Sequence, residues 1–202
     1  MGYSKAYSIV SAAEHSVGSR EGLESARYEI QWILKNLKSF IESEEEYLAR
    51  MEAMAEKIPY VENILAIKGL GIRTVFGIMA EIGDITRFTS VKPIQKLAGL
   101  ALVEDNSSGK HQGRTIISKR GRKRLRYQLY QAALVLIGQN SEFREVYDYY
   151  RTREENPLKK MQALMAVACK LLRVLYAMMT KGVPYDPVKL LNDIRHPQKN
   201  AA

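Results

Sequence analysis

The residues best suited to chemistry lie between Asn106 and Arg126, in the run NSSGKHQGRTIISKRGRKRLR. Two serines and a glycine, Ser107-Ser108-Gly109, open it. Lys110, Arg114, Lys119, Arg120, Arg122, Lys123, Arg124 and Arg126 come after them with no acidic residue among them. Positive charge at this density calls for an anion, and a nucleic-acid backbone answers it by releasing condensed counterions. A hydroxyl on a Ser-Gly turn ringed by cations is placed where a phosphodiester could be attacked. The plainer alternative is a solvated basic helix face. His111, three residues after Ser108, is a weak candidate for a helping base.

A second feature lies upstream. Residues 61–67 and 72–82 read as two apolar helices joined at Lys68-Gly69-Leu70-Gly71. Glycines there permit a tight turn and leave backbone amides at the start of the second helix, a good place for a phosphate oxygen. This is the pattern of a helix-hairpin-helix over 60–83, which grips a backbone without reading sequence. An ordinary structural turn is the alternative.

These features need a scaffold, and the totals bound it. The chain has 202 residues, 46% hydrophobic and 26% charged, as in an ordinary globular protein. The net charge of +9 is unevenly spread. Residues 1–57 hold 7 Lys/Arg against 10 Asp/Glu, whereas 58–202 hold 24 against 12. That asymmetry points to an anionic polymer as partner. The single cysteine, Cys169, excludes an internal disulfide framework and fits a reducing cytoplasm. His15, His111 and His196 lack metal-ligand spacing, so no metal site is expected in this chain. No signal peptide is visible, and no apolar run is read as long enough to span a membrane.

Residues 1–21 read as a small, polar lead-in with a short helix around 6–15. From 22 to 58, Leu23, Ala26, Ile30, Ile33, Leu37 and Phe40, then Leu48, Met51, Ala55 and Ile58, recur at three- and four-residue steps. This is a heptad seam interrupted near Glu44, and it predicts a coiled-coil helix ending before Pro59. Its expected partner is another copy of the chain; folding back on 158–180 is the alternative. Glu42, Glu44, Glu45 and Glu46 read as solvated surface. Residues 59–182 read as a compact helical domain. A helix over 122–139 buries Leu125, Leu129, Ala132, Ala133, Leu136 and Ile137. Phe143, Tyr147, Tyr149 and Tyr150 beside Arg144, Arg151 and Arg153 are read as core, with base stacking as the alternative. An apolar helix from 158 to 181 ends at Gly182, and 183–202 form a tail, read from Tyr185 as a short helix and then disorder. No strand run is convincing beyond a short extended piece at 115–117, so the fold class is all-α.

Together, Ile67-Lys68-Gly69-Leu70-Gly71, Ala80-Glu81-Ile82-Gly83-Asp84, Arg87-Phe88, Leu97-Ala98-Gly99-Leu100, Ser107-Ser108-Gly109 and Lys119-Arg120-Gly121 with Leu125-Arg126 resemble, in order and spacing, the C-terminal transposase domain of the insertion-sequence-110 family of bridge-RNA-guided serine transposases. The long helix at 22–57 is similar to the coiled coil preceding that domain. The resemblance implies that Ser108, before the motif glycine, attacks a DNA phosphate, with Ser107 as understudy. It implies that Lys68, Gly69 and Gly71, with Lys110, Arg114, Lys119, Arg120, Arg122, Lys123, Arg124 and Arg126, hold DNA or guide RNA. It implies a dimer or tetramer assembled through the coiled coil and action in the cytoplasm near the nucleoid. The family's RuvC-like domain, whose carboxylates bind Mg2+, has no counterpart in these 202 residues. Lys68 stands where the family often has proline.

Overall fold

A computed structural model of the chain describes residues 3–16, 21–104 and 115–195, apart from the side chains of Asp193 and Arg195. The chain divides into two compact units, Met1–Glu46 and Tyr47–Ala202.

In the first unit, helix α1 (Tyr3–Glu14) buries nothing. Helix α2 (Leu23–Ala55) begins here and continues into the second unit as 33 residues, about 50 Å of helix at 1.5 Å per residue. Glu44 interrupts its apolar seam but not its backbone, because glutamate is itself a good helix former. No residue of α2 is buried. Every seam residue from Leu23 to Phe40 is exposed, whereas Leu48, Met51, Ala55 and Ile58 are half-buried and the last two pack on the core of the second unit.

The second unit is built mainly of helices. Helix α3 (Val61–Leu65) turns into α4 (Ile72–Ile82). A 3₁₀ turn at Ile85–Arg87 and helix α5 (Val91–Leu97) lead to strand β1 (Leu102–Glu104). Strand β2 (Thr115–Ile117) pairs antiparallel with it, Leu102 opposite Ile117 and Glu104 opposite Thr115. Then come α6 (Lys123–Gln139), α7 (Ser141–Thr152), α8 (Lys160–Lys181) and α9 (Pro187–Arg195). The architecture is mainly helical, as expected; the hairpin is the exception. Its strands have three residues each, too short for periodicity to register.

Helix α8 is the axis of the core. Ten of its 22 residues are buried, among them Val167, Leu171 and Leu175. It is long and apolar enough to cross a membrane, contrary to the sequence reading, but 56% of its most apolar window is buried within the fold. Gly182 ends it in the left-handed conformation (φ 62°) and returns its N–H to the Met178 carbonyl. Helix α6 lays Leu125, Leu129, Ala132, Ala133 and Leu136 into the same core, and Ile137 is half-buried. The corner from α6 to α7 is fixed by Asn140, whose buried side chain accepts from the Phe143 N–H at 3.1 Å. The Tyr176 hydroxyl donates to the Phe88 carbonyl at 2.9 Å and so ties α8 to the 3₁₀ turn. The segment read as a tail carries α9, whose Leu190 and Leu191 are buried.

Candidate nucleic-acid interface

The basic segment is anchored by a backbone crossing at the base of the hairpin. The Lys119 N–H donates to the Gly99 carbonyl at 3.0 Å, Ser118 to Ala101 at 2.8 Å and Arg122 to Leu97 at 2.6 Å. Two glycines make this approach possible. Gly121 has φ +144°, and a Cβ there would overlap the Leu97 carbonyl oxygen. Gly99 has φ +67°, and a Cβ there would lie 2.6 Å from Arg126 Nη1. Arg126 completes the joint by donating through Nη1 to the carbonyls of Ala98 (3.1 Å) and Lys119 (3.2 Å). Half-buried and committed to backbone, Arg126 positions the segment and differs from its exposed neighbours.

Ser107, Ser108, Gly109, Lys110, His111 and Arg114 lie outside the described residues. The described residues on either side of that stretch, Glu104 and Thr115, are register partners on the hairpin.

Lys119, Arg120, Arg122, Lys123 and Arg124 are all exposed around the joint. Their one acidic neighbour in a described ion pair is Glu81, at the end of α4. Arg122 Nη1 donates to the Glu81 carbonyl at 2.6 Å and lies 3.8 Å from its carboxylate; Arg124 Nε lies 3.7 Å from it. Glu81 is 19% exposed, against 52% for Arg122 and 79% for Arg124. The pairs aim the two guanidinium groups, but exposed pairs of this kind add about 0–1 kcal/mol each and leave much of the positive field outward. Lys92 and Lys96 on α5 are also exposed, and the Lys96 carbonyl would lie 2.8 Å from a Cβ on Gly121. Sequence reasoning passed over both lysines. Their signal was only that they flank the buried Ile94 two residues on either side.

The turn between α3 and α4 sits at the other end of α6. A Cβ on Gly69 (φ +101°) would lie 3.4 Å from Leu136 Cδ2 and 3.6 Å from Gln139 Cβ. Gly71 opens α4 in an extended conformation with no side-chain cap, and the Thr74 and Val75 N–H groups both return to its carbonyl. Lys68 is exposed and borders an open cavity of about 330 Å3 lined also by Ala66, Gln139, Asn140, Ser141, Glu142 and Tyr185. Glu142 makes that cavity a poor home for an anion. Burial, with Glu142 beside it, pushes the Tyr185 hydroxyl well above the usual phenol range.

The candidate residues therefore form two groups. Lys119 to Arg126 gather at the start of α6, and Lys68, Gly69 and Gly71 gather near its end. Sixteen residues of helix, about 24 Å, separate Lys123 from Gln139.

Three of the four aromatic residues of α7 lie in or against the core, and half-buried Tyr149 tilts against the Tyr150 ring at 5.6 Å. Phe143 is fully buried and stacks on Tyr185 at 6.2 Å; Tyr147 and Tyr150 are half-buried against the core, and Arg153 lies 5.7 Å over the Tyr150 ring. Cys169 is half-buried too, and burial pushes its thiol up, which disfavours the thiolate. Among the described residues no three His, Cys, Asp or Glu side chains come together to hold a metal.

Both groups fall within residues 61–148, which match the model of the transposase IS116/IS110/IS902 family. The chain is similar to the pilin gene-inverting protein of Moraxella lacunata, at 29% identity over 132 residues, 64% of this chain and 40% of that protein. It is similar to an uncharacterized 43.6 kDa protein of insertion element IS110 from Streptomyces coelicolor, at 27% over 142 residues, 68% of this chain and 33% of that one. An uncharacterized 42 kDa protein of insertion element IS900 from Mycobacterium paratuberculosis is 32% identical over 142 residues, 69% of this chain and 34% of that protein. The chain thus spans between a third and two fifths of the length of these relatives.

Proposed function

This chain carries a transposase domain of the IS116/IS110/IS902 family, and we propose that it is the part that grips DNA while a serine opens a phosphodiester. The observation that carries the reading is the exposed basic cluster Lys119, Arg120, Arg122, Lys123 and Arg124, fixed by the Gly99–Gly121 crossing at the root of the segment containing Ser107 and Ser108. Ser108 is the proposed nucleophile and Ser107 its understudy. The Ser108 hydroxyl oxygen would bond to phosphorus as the bridging P–O bond to the leaving DNA strand breaks. The departing oxygen takes up a proton, and DNA is left joined to the serine. Cations nearby offset the charge that builds on the phosphoryl oxygens.

A serine hydroxyl needs help to attack, and the described residues supply neither a triad nor a metal cluster. We assign Mg2+ to the carboxylates of a RuvC-like domain, where it would act as a Lewis acid on the scissile phosphate. Lys68, Gly69 and Gly71 supply a second backbone contact. A bridge RNA is the proposed guide, and the bacterial or archaeal cytoplasm, at the nucleoid, the proposed place. The pilin gene-inverting relative supports rearrangement of DNA as the process.

The exposed seam of α2 favours a companion role as assembly module, in which a second copy covers Leu23 to Phe40. A chain confined to that role would bind nucleic acid and oligomerise without any chemistry at Ser108.

A covalent-adduct experiment separates the two. The chain, supplemented with a RuvC-like half, guide RNA and labelled donor DNA, is run on a denaturing gel as wild type, Ser107→Ala and Ser108→Ala. The expected result is a shifted DNA band lost only in Ser108→Ala. Salt-dependent binding with no adduct in any lane would leave the assembly reading standing and remove the nucleophile.

A further inference from the structure

We propose that Tyr127 is a stacking platform for an unpaired nucleotide, so that the outer face of α6 engages single-stranded or locally melted nucleic acid. This rests on the nucleic-acid reading above and deepens it by naming the form of the substrate.

The first observation is exposure. Tyr127 is 57% exposed, and among the described residues no ring stacks on it and no cation sits over it. Other aromatic rings of the second unit are used up internally: Phe143 is buried against Tyr185, and Tyr150 is half-buried under Arg153. One exposed tyrosine means little by itself; its setting gives it meaning.

The second observation is that setting. Lys123 and Arg124 precede Tyr127 by four and three residues, so all three share one side of α6, opposite the buried Leu125, Leu129 and Leu136. The 17 residues of α6 contain no Asp or Glu. The face therefore presents cations and then, one turn on, a free π surface. That is the order in which a nucleotide presents its phosphate and its base. Within a continuous duplex the base faces are already stacked on one another, so only an unpaired base has a face to offer.

The third observation is the strip beyond Tyr127. There the same side carries Gln131, Leu134, Val135 and Gly138, none of them charged. Leu134 and Val135 are 44% and 40% exposed. Over this stretch α6 itself offers a duplex no cation for its phosphates, whereas splayed bases lose little by lying over uncharged side chains. Contact with a second copy of the chain is the competing use of this strip, and the net positive charge of its basic end, where Glu81 is shared by Arg122 and Arg124 and α6 itself has no acidic residue, counts against a symmetric pairing of like-charged faces.

The test uses the full chain as wild type, Tyr127→Phe and Tyr127→Ala. Their affinities are compared for a short single strand carrying 2-aminopurine and for its duplex, at one salt concentration. Loss of one stacked base is expected to weaken single-strand binding of Tyr127→Ala about five-fold or more, with duplex affinity changed by less than about two-fold. Tyr127→Phe keeps the ring and should match wild type. 2-Aminopurine emission should be quenched by wild type and Tyr127→Phe and not by Tyr127→Ala. Equal weakening on both DNA forms, a Phe variant that behaves like Ala, or an Ala variant whose sedimentation shifts from that of wild type would each overturn the proposal. If wild-type protein binds neither form in a salt-dependent manner, the nucleic-acid reading itself fails, and this inference with it.

Discussion

Helices α2 and α8 are both rich in apolar residues, and they use them in opposite ways. Helix α8 buries ten of 22 residues; α2 buries none of 33. The difference lies in how the apolar positions are arranged. In α2 they form a narrow seam flanked by charge, which a single facing helix could cover. In α8 they spread around the helix, through Val167, Ala168, Leu171, Leu172 and Leu175, so only a packed interior on several sides can satisfy them. Apolar content alone would not have separated a buried helix from an exposed one.

The sharpest way to break this contrast is to truncate one leucine on each helix. Leu171→Ala, at a fully buried position, should cost about 2–5 kcal/mol of the second unit's stability. Leu37→Ala, with its side chain 51% exposed, should change unfolding of the monomeric chain by less than about 0.5 kcal/mol. Denaturant titration at low protein concentration reads both. Similar losses would mean that α2 is covered within its own chain. If a second copy covers α2, Leu37→Glu should lower the sedimentation mass at high concentration while leaving the melting of the second unit in place.

A backbone contact tests the contrast without touching side-chain burial. Gly121→Ala puts a Cβ against the Leu97 carbonyl at φ +144° and should cost about 1–3 kcal/mol or more, with the loss centred on the hairpin. Amide exchange should show faster opening at Ser118, Lys119 and Arg122, whose N–H groups close the crossing. Unchanged protection there would show that the crossing does not hold the basic segment.

The smallest effect belongs to an exposed polar cap. Asp84 Oδ1 accepts from the Thr86 N–H at 2.9 Å and its hydroxyl at 2.7 Å, and these bonds hold the carboxyl below its ordinary range. A carboxyl with a lowered folded pKa contributes stability above its unfolded pKa and loses it as pH falls through the folded value. Asp84→Asn should therefore lower Tm slightly at neutral pH, with the gap from wild type closing as the solution is acidified below the carboxylate range. A gap that persists at low pH would assign the effect to packing.

Much of this architecture is legible in the residue order because periodicity carries it. The buried side of α6, the stop of α8 at Gly182 and the turn between α3 and α4 all come from local spacing and glycine placement. The pairing of the hairpin escapes notice because three-residue strands carry no usable period, although 115–117 reads as extended; the short helix of the tail is legible, but the burial of Leu190 and Leu191 is not, because they sit in a polar, proline-flanked stretch. The basic segment is visible as a count of charges. That Arg126 serves the backbone while Arg122 and Arg124 share Glu81 is not visible, because the partners lie 28 and about 40 residues away in sequence.

Residue order and local spacing were enough to set the helical class, the serine–glycine motif, the basic excess and the likeness to the transposase family whose model residues 61–148 match. Packing in three dimensions settled the rest: which cations face outward, that Lys96 lies beside Gly121, that the two candidate phosphate contacts sit at opposite ends of α6, and that Tyr127 remains uncovered. Such facts arise only when helices distant in the chain pack together, because burial is a property of neighbours in space.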